Sequence, residues 1–356
     1  MKPDKGRKII RLKFMAKNIK KELSANGLDV GTAFICCARK SGPKVSYESV
    51  RNCFFDVEYS SFAEDILKKN NAAYFRKENR LYLLGEDAIR FANFFGKITR
   101  RPLRQGVLSP QEEEAFLVVE LLIRELLKKA QTKGELVYYS VPGSPIDVDL
   151  NITYHQDIIK RLLENLGYRA KPLNEGLAVV YSELQSNDFT GLGISIGGGM
   201  TNVCLASMAI PILTFSIARA GDWLDGEVAK ATNESVSKIT SIKEATLNLN
   251  SAKCSSDKTL QAFYIYYGHL VDYILEKLVE EFKKHPGLRF EKPIPIVLTG
   301  GTTSPEGFLN EFKEGLKKIN LPIKIGEVKV ASEPLLSVAK GTLRASLVEL
   351  EKEEKL

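Results

Sequence analysis

The stretch from residue 191 to residue 206, GLGISIGGGMTNVCLA, constrains the fold more than any other part of this chain. Three consecutive glycines separate two runs of β-branched and small apolar residues, which predicts a strand, a tight turn and a second strand. Glycine packs no side chain and loses the most backbone entropy on folding. A run of it in a hairpin therefore indicates that something approaches the backbone closely there.

A second hairpin of this kind, NGLDVGTAFICCA, lies at residues 26–38 with Asp29 and Gly31 in its turn. Each hairpin is followed by further strands and by long amphipathic segments. Helices are predicted over residues 110–129, 154–166, 218–231, 238–247 and 260–284, and buried strands over GELVYYSV and PIPIVLT. Two halves with the same outline predict an α/β fold with an internal duplication and a ligand between the halves.

The composition fits a two-lobed globular chain. It has 356 residues, 44% of them hydrophobic and 27% charged, and no run of eighteen apolar residues that would cross a membrane. The five cysteines are odd in number and lack metal-ligand spacing, which indicates reduced thiols in a cytoplasm and no structural zinc. The three histidines are too sparse to indicate a metal site or a catalytic triad.

Residues 1–23 hold nine Lys and Arg residues against two acids. Their apolar residues recur in steps of three and four, which predicts a basic amphipathic helix. One interpretation is an anchor on an anionic membrane surface, where each basic residue adds about 1 kcal/mol. The other is a solvated extension, or a helix that docks on its own domain. No nucleic-acid partner is expected, because no recognition module is present.

The two glycine turns suit a polyphosphate, because glycine lets backbone N–H groups face phosphate oxygens without a Cβ in the way. Gly31 and Thr32 would bind from one side. The opposing turn would bind with Gly197, Gly198, Gly199 and Thr201. A carboxylate at Asp29 suits Mg²⁺, which keeps several of its waters and needs only one or two protein acids.

Six ordered motifs resemble one family. LDVGT, SIGGGMTNV and IVLTGG are similar to the two phosphate motifs and the adenosine motif of the actin, seventy-kilodalton heat-shock and sugar-kinase ATPase superfamily. Within it the chain most resembles the bacterial actins, MreB and the magnetosome filament protein MamK. That likeness rests on RRPLRQGVL (100–108), ARAGDWLDGEV (218–228) and SEPLLSVAKGTL (332–343), with NEGLAVVYSEL (174–184) in the place of the first connecting helix.

The resemblance implies an actin-like ATPase fold, in which two RNase-H-like lobes hold ATP or ADP and Mg²⁺ in the cleft between them. After an N-terminal extension over residues 1–25, lobe I is predicted over residues 26–169 and completed by residues 331–356. Its small subdomain lies at about residues 45–100. Lobe II is predicted over residues 170–330, with a small subdomain at about residues 226–262.

The resemblance also assigns roles. Asp29 lies close to Mg²⁺ through a water, and Glu175 orients the attacking water, a positioning role on which phosphoryl transfer depends. Lys243 and Glu244 reach ribose and adenine, although a solvated helix face explains these two residues equally well. The other nucleotide contacts implied are Gly221, Gly300, Gly301 and Thr302.

Ser195 departs from the family pattern, which has Asp at this position. A hydroxyl still binds a metal-bound water but adds no negative charge, so nucleotide binding is expected to survive. Hydrolysis is expected to be slower by about 10² to 10⁴-fold, the effect of losing one positioned acid or base. A weak ATPase is therefore expected.

The function implied is a nucleotide-dependent cytoskeletal filament of identical subunits, because a head-to-tail contact that does not close generates a polymer. Its expected location is the cytoplasm, at the inner face of the membrane if residues 1–23 bind there. The alternative is a regulatory or scaffold ATP-binding protein of the same superfamily that does not polymerise.

Overall fold

The computed structural model describes residues 24–355, so the predicted amphipathic helix over residues 1–23 lies outside the described residues. The chain first builds a sheet with the strand order β10-β9-β1-β2-β3. Strands β10, β9 and β1 are mutually parallel, and β2 and β3 follow as antiparallel neighbours. The elements are β1 (Ser24–Val30), β2 (Phe34–Ser41), β3 (Lys44–Arg51), β4 (Phe54–Glu58), α1 (Ser61–Lys69), β5 (Tyr74–Lys77), β6 (Arg80–Leu84), α2 (Gly85–Ala92), β7 (Leu103–Arg104), β8 (Val107–Leu108), α3 (Ala115–Leu127), β9 (Glu135–Val141), α4 (Ile152–Asn165) and β10 (Tyr168–Asn174).

The second half builds a sheet with the order β13-β12-β11-β14-β15. The hairpin β11-β12 is antiparallel, and β14 and β15 join β11 in parallel. The elements are α5 (Glu175–Glu183), β11 (Gly191–Ile196), β12 (Thr201–Ser207), β13 (Ile210–Ile217), α6 (Gly221–Thr232), α7 (Val236–Ala245), α8 (Leu249–Ala252), α9 (Lys258–Lys283), β14 (Ile294–Thr299), α10 (Phe308–Lys317), β15 (Ile325–Val330) and α11 (Ser337–Glu353).

The two sheets therefore have the same plan, a central hairpin strand with two parallel strands on one side and two antiparallel strands on the other. This confirms the predicted α/β fold with an internal duplication. We call the part of the chain built on the first sheet the first lobe and the part built on the second sheet the second lobe. Strand β10 pairs with β9 along its whole length, so the predicted boundary after residue 169 falls inside a strand of the first sheet.

Three strands of the two large sheets were not predicted, β3, β10 and β13. All three lie at a sheet edge, where a strand is held by a single neighbour. Strand β10 contains Pro172, which an edge strand tolerates. Helix α3 begins at Ala115 rather than near Pro110, because the acids after residue 111 lie in the turn before it.

Helices α5 and α11 cross closely between the two sheets. A Cβ on Gly341 would lie 1.9 Å from the Ala178 carbonyl oxygen, so only glycine fits there. Helix α11 also packs on the first sheet, since a Cβ on Gly27 would lie 2.2 Å from the Leu343 nitrogen. The Ser346 hydroxyl donates to the Asn26 carbonyl at 2.6 Å. The C-terminal helix is thus a structural part of the first lobe.

Each lobe has its own large apolar core. The five cysteines are free thiols, and all except Cys254 are buried. Within residues 24–355, no helix has both the length and the apolar character needed to cross a bilayer.

Candidate functional site

A cavity of about 520 Å³ opens between the two lobes at the turns of both glycine hairpins. It brings together residues from nearly the whole length of the described chain, from Asp29 to Val338. The predicted site residues that line it are Asp29, Gly31, Thr32, Glu175, Ser195, Gly197, Gly198, Gly199, Lys243, Glu244, Gly300, Gly301 and Thr302. The two predicted residues outside the lining are Thr201 and Gly221.

The first turn is held in place from several sides. The Asn52 side-chain amide donates to the Gly31 carbonyl at 2.9 Å, and the Asn52 N–H donates to the Ala33 carbonyl at 2.9 Å. The Gly106 N–H donates to the Thr32 hydroxyl at 3.2 Å. These bonds fix the turn through its carbonyls and the threonine hydroxyl, and none of them uses the N–H groups of Gly31 and Thr32.

The second turn is braced from within its own lobe. The Gly197 N–H donates to the Met200 carbonyl at 3.0 Å, and the Gly197 carbonyl accepts from the Gly221 N–H at 3.0 Å. The Thr302 hydroxyl also donates to the Gly197 carbonyl, at 2.7 Å. The Asp222 N–H donates to the Gly198 carbonyl at 2.7 Å. The N-terminus of α6 therefore positions this turn.

Residue 199 must be glycine because atoms of the first lobe lie against its backbone. A Cβ on Gly199 would lie 2.4 Å from the Thr32 hydroxyl and 2.7 Å from the Gly106 nitrogen. Gly300 is required for another reason, because its φ is +94° and a Cβ would lie 2.3 Å from the Ile196 carbonyl oxygen. Part of the glycine pattern therefore reflects the packing of protein on protein, rather than contact with a ligand.

Thr201 and Gly221 support the cavity from behind. The Thr201 side chain is fully buried and its hydroxyl donates to the Arg219 carbonyl at 2.8 Å. A Cβ on Gly221 would lie 2.7 Å from the Thr302 hydroxyl, so this glycine permits the close packing of α6 on the loop after β14. In the structure both residues position the lining rather than belong to it.

Two half-buried carboxylates line the cavity, Asp29 from the first hairpin and Glu175 from the start of α5. The Ser140 hydroxyl donates to Asp29 at 2.7 Å, and the Asn202 amide donates to Glu175 at 2.8 Å. Burial raises the pKa of Asp29 to about 6. Burial, together with the nearby charge of Asp29, raises the pKa of Glu175 to about 8, against the hydrogen bonds from Asn202 and Ser195. Neither carboxylate has an ion-pair partner among residues 24–355.

These raised pKa values predict a pH-dependent stability in the absence of nucleotide and metal. In the folded protein Glu175 keeps its proton up to about pH 8, whereas in the unfolded chain it loses the proton near its ordinary pKa of 4.5. The stability that Glu175 contributes is therefore complete below pH 4.5 and is lost as the pH rises through about 8. Urea unfolding in EDTA should show a smaller decline in stability over this range for Glu175→Gln than for the natural chain. Parallel profiles of the two proteins would contradict the prediction.

Three cations line the cavity, and each is paired with an acid of the second lobe. The distances are 2.7 Å for Arg51 to Glu244 and 2.8 Å for Lys243 to Asp225. Arg101 bonds Asp222. Two of these pairs, those of Arg51 and Arg101, join the two lobes across the cavity.

The cavity-lining residues that the sequence analysis did not predict include Asn202, Arg51 and Arg101. Of these, Arg101 and Asn202 lie within family motifs, where a polar side chain beside the glycine turn was an available signal.

Two lobes of the same plan, with a glycine hairpin from each facing one cavity, define the actin-like class of proteins. The predicted actin-like fold is thereby confirmed. The family model named Volactin matches residues 24–346. The chain belongs to the Volactin family.

Solved structures of bacterial actins share this fold. MamK in its double helical filament has a TM-score of 0.68 at 16% identity, covering 91% of this chain and 98% of that one. MreB5 of Spiroplasma citri bound to AMPPNP has a TM-score of 0.66 at 17% identity, covering 93% and 98%. The predicted likeness to MreB and MamK is confirmed at the level of the fold.

A curated relative is also similar in sequence. The cell shape-determining protein Mbl of Bacillus subtilis (strain 168) is 30% identical over 159 residues. This match covers 43% of the present chain and 45% of Mbl, so the chain spans just under half the length of that relative.

Proposed function

We propose that this protein binds ATP or ADP with Mg²⁺ in the interlobe cavity and assembles into nucleotide-dependent cytoskeletal filaments, with slow ATP hydrolysis. The observation that carries the proposal is that two glycine turns and two half-buried carboxylates without a cation partner line one cavity of the described chain. Support also comes from MreB5 of Spiroplasma citri, whose structures are bound to AMPPNP and to ADP.

The phosphate chain would lie between the two turns, with the backbone N–H groups of Gly31, Thr32, Gly198 and Gly199 as its donors. The nucleoside would lie on the other side of the cavity, next to Gly300 and Gly301. Lys243 would support this side indirectly, because its ammonium already pairs with Asp225 and donates to the Gly221 carbonyl at 3.3 Å.

The donor set fits Mg²⁺. Asp29 and Glu175 are half-buried oxygen donors without a cation partner among the described residues. Their pKa values are raised chiefly because the site removes them from water, and the charge of Asp29 adds to the effect on Glu175. They would hold the ion through its waters, which suits a metal that needs only one or two protein carboxylates. When bound, the ion supplies the positive charge that these carboxylates and the phosphates lack.

Glu175 would act as the residue that positions the attacking water. It is the first residue of α5, and the Asn202 amide holds one of its oxygens. The ionised carboxylate would accept the water proton as the new bond to the terminal phosphorus forms and the bond to the bridging oxygen breaks. Ser195 lines the same cavity but adds no charge to it, so we propose that turnover is slow.

Filament formation is supported by exposed apolar residues on both lobes. In the first lobe, the loop after α2 exposes Phe94 and Ile98. In the second lobe, the hairpin of β12 and β13 exposes Met208 and Ile210, which are 71% and 65% accessible. A contact between two unlike surfaces of identical subunits produces a polymer when its rotation does not close into a ring. MamK itself forms a double helical filament.

The test is sedimentation with Mg·ATP followed by negative-stain microscopy. The natural chain is expected to form filaments at micromolar concentration. Ile210→Asp is expected to raise the critical concentration by about tenfold or more, because it places an unpaired charge in an apolar contact. Ile265→Asp, a matched change at an exposed position of α9, should leave assembly unchanged. No filaments of the natural chain with any nucleotide would favour the non-polymerising regulatory alternative.

We also propose a cytoplasmic location, with residues 1–23 as a contact to the inner face of the membrane. This part of the proposal rests on the nine basic residues of that segment. Co-sedimentation with anionic liposomes, comparing the full chain with one that begins at Ser24, tests it. Equal binding by both chains would remove the membrane contact.

A further inference from the structure

We propose that Arg101 is the side chain that binds the phosphate chain of the nucleotide, and that Asp222 holds it in place when the cavity is empty. This inference rests on the proposed nucleotide binding. It assigns Arg101 to a ligand contact rather than to a permanent brace between the lobes.

The first step is the position of Arg101. The segment over residues 101–108 crosses both glycine turns, since Gly106 donates to Thr32 and a Cβ on Gly106 would lie 2.7 Å from the Met200 sulfur. The Nη1 atom of Arg101 is 3.4 Å from where a Cβ of Gly198 would stand. The guanidinium therefore lies directly against the turn that would hold the phosphates.

The second step is that the other two cations of the cavity are bound elsewhere. Lys243 pairs with Asp225, whose side chain is 1% exposed. If Lys243 moved to a phosphate, the buried Asp225 carboxylate would be left without its cation. Arg51 lies between Glu244 and Glu86, at 2.7 and 3.5 Å, on the side of α7. Among the cavity cations that the structure describes, Arg101 alone faces the second glycine turn.

The third step is that the Arg101 ion pair can be exchanged at low cost. The Asp222 side chain is 39% exposed, so water can solvate it once Arg101 leaves, unlike the nearly inaccessible Asp225. A phosphate offers the guanidinium a bidentate acceptor with more charge than one carboxylate. Because the phosphates would lie on the second-lobe turn, Arg101 would still connect the lobes, now through the nucleotide.

The experiment compares the affinities of the natural chain, Arg101→Gln and Asp222→Asn for fluorescent analogues of ADP and ATP, with Mg²⁺ at fixed ionic strength. Both variants break the same ion pair. We expect Arg101→Gln to weaken ATP binding by about tenfold or more, and ADP binding by less. Asp222→Asn should bind both analogues at least as tightly as the natural chain, because it frees Arg101 and removes a negative charge near the phosphates.

Opposite effects of the two variants would support the inference. If both variants weakened nucleotide binding to a similar extent, the inference would be overturned, because either substitution removes the same ion pair between the lobes.

Arg51→Gln serves as the matched cation control and should change ADP and ATP affinity by the same factor. Arg101→Lys, which keeps the charge, should recover part of the loss and covers the case in which Arg101→Gln does not fold. If the natural chain binds neither analogue, the proposed function itself fails, a result distinct from failure of the Arg101 assignment alone.

Discussion

Glu175→Gln is expected to reduce the rate of phosphate release from Mg·ATP by about 10² to 10⁴-fold, the range for loss of a positioned general base. The amide has nearly the same shape and still hydrogen-bonds, but it cannot accept the proton of the attacking water. Nucleotide affinity should change by only a few-fold, because the phosphate contacts proposed for the glycine turns remain. Single-turnover phosphate release and equilibrium nucleotide binding, measured on the same preparation, separate the two effects.

Ser195→Asp is the complementary variant. It is expected to raise the rate of phosphate release, because a carboxylate at this position adds the negative charge that the serine hydroxyl lacks. Equal rates for Glu175→Gln and the natural chain would remove Glu175 from the chemistry. A natural chain that releases phosphate as fast as an ordinary bacterial actin, with no gain from Ser195→Asp, would contradict the account of slow turnover.

Gly341→Ala is expected to destabilise the folded protein strongly, although it adds only one methyl group. The added Cβ would stand 1.9 Å from the Ala178 carbonyl oxygen and 2.8 Å from the Ala178 Cα. These are backbone atoms of α5, so the crossing helices must move apart. Overpacking of this kind costs about 1–3 kcal/mol, and the rigid neighbour places this case at the upper end. Urea unfolding without nucleotide measures the change.

Gly268→Ala is the matched control, a glycine-to-alanine change in the interior of helix α9. A Cβ there meets nothing within 4 Å. Alanine should therefore stabilise the protein by about 0.5–1 kcal/mol through helix propensity alone. If the two substitutions changed stability in the same direction and by the same amount, close crossing of α5 and α11 would not explain Gly341.

Much of the fold could be predicted from local sequence because its signals are local. The glycine turns after Asp29 and after Ile196 mark the two hairpins, and the apolar periodicity of residues 260–284 marks helix α9. The edge strands β3, β10 and β13 escaped prediction, and each of them has a single neighbour in its sheet. Their pairing is decided by the strands beside them.

The site was predictable to the extent that its residues lie in glycine turns. Asp29 and Glu175 were named from motifs, whereas their burial and the absence of a cation beside them in the described chain required the assembled lobes. The ion pair of Arg101 with Asp222 joins residues 121 positions apart, and no sequence pattern links them. Contacts between lobes depend on the relative placement of two folded units, which no local pattern encodes.

Glycine content and apolar periodicity were enough to predict two glycine hairpins of the same kind in one duplicated α/β chain, because both signals come from neighbouring residues. What those glycines contact depends on the tertiary packing. Gly199 accommodates Thr32 and Gly106 of the opposite lobe, and Gly341 accommodates the crossing of two helices. Both are contacts between segments far apart in the chain, so they arise only when packing brings two backbones within van der Waals distance.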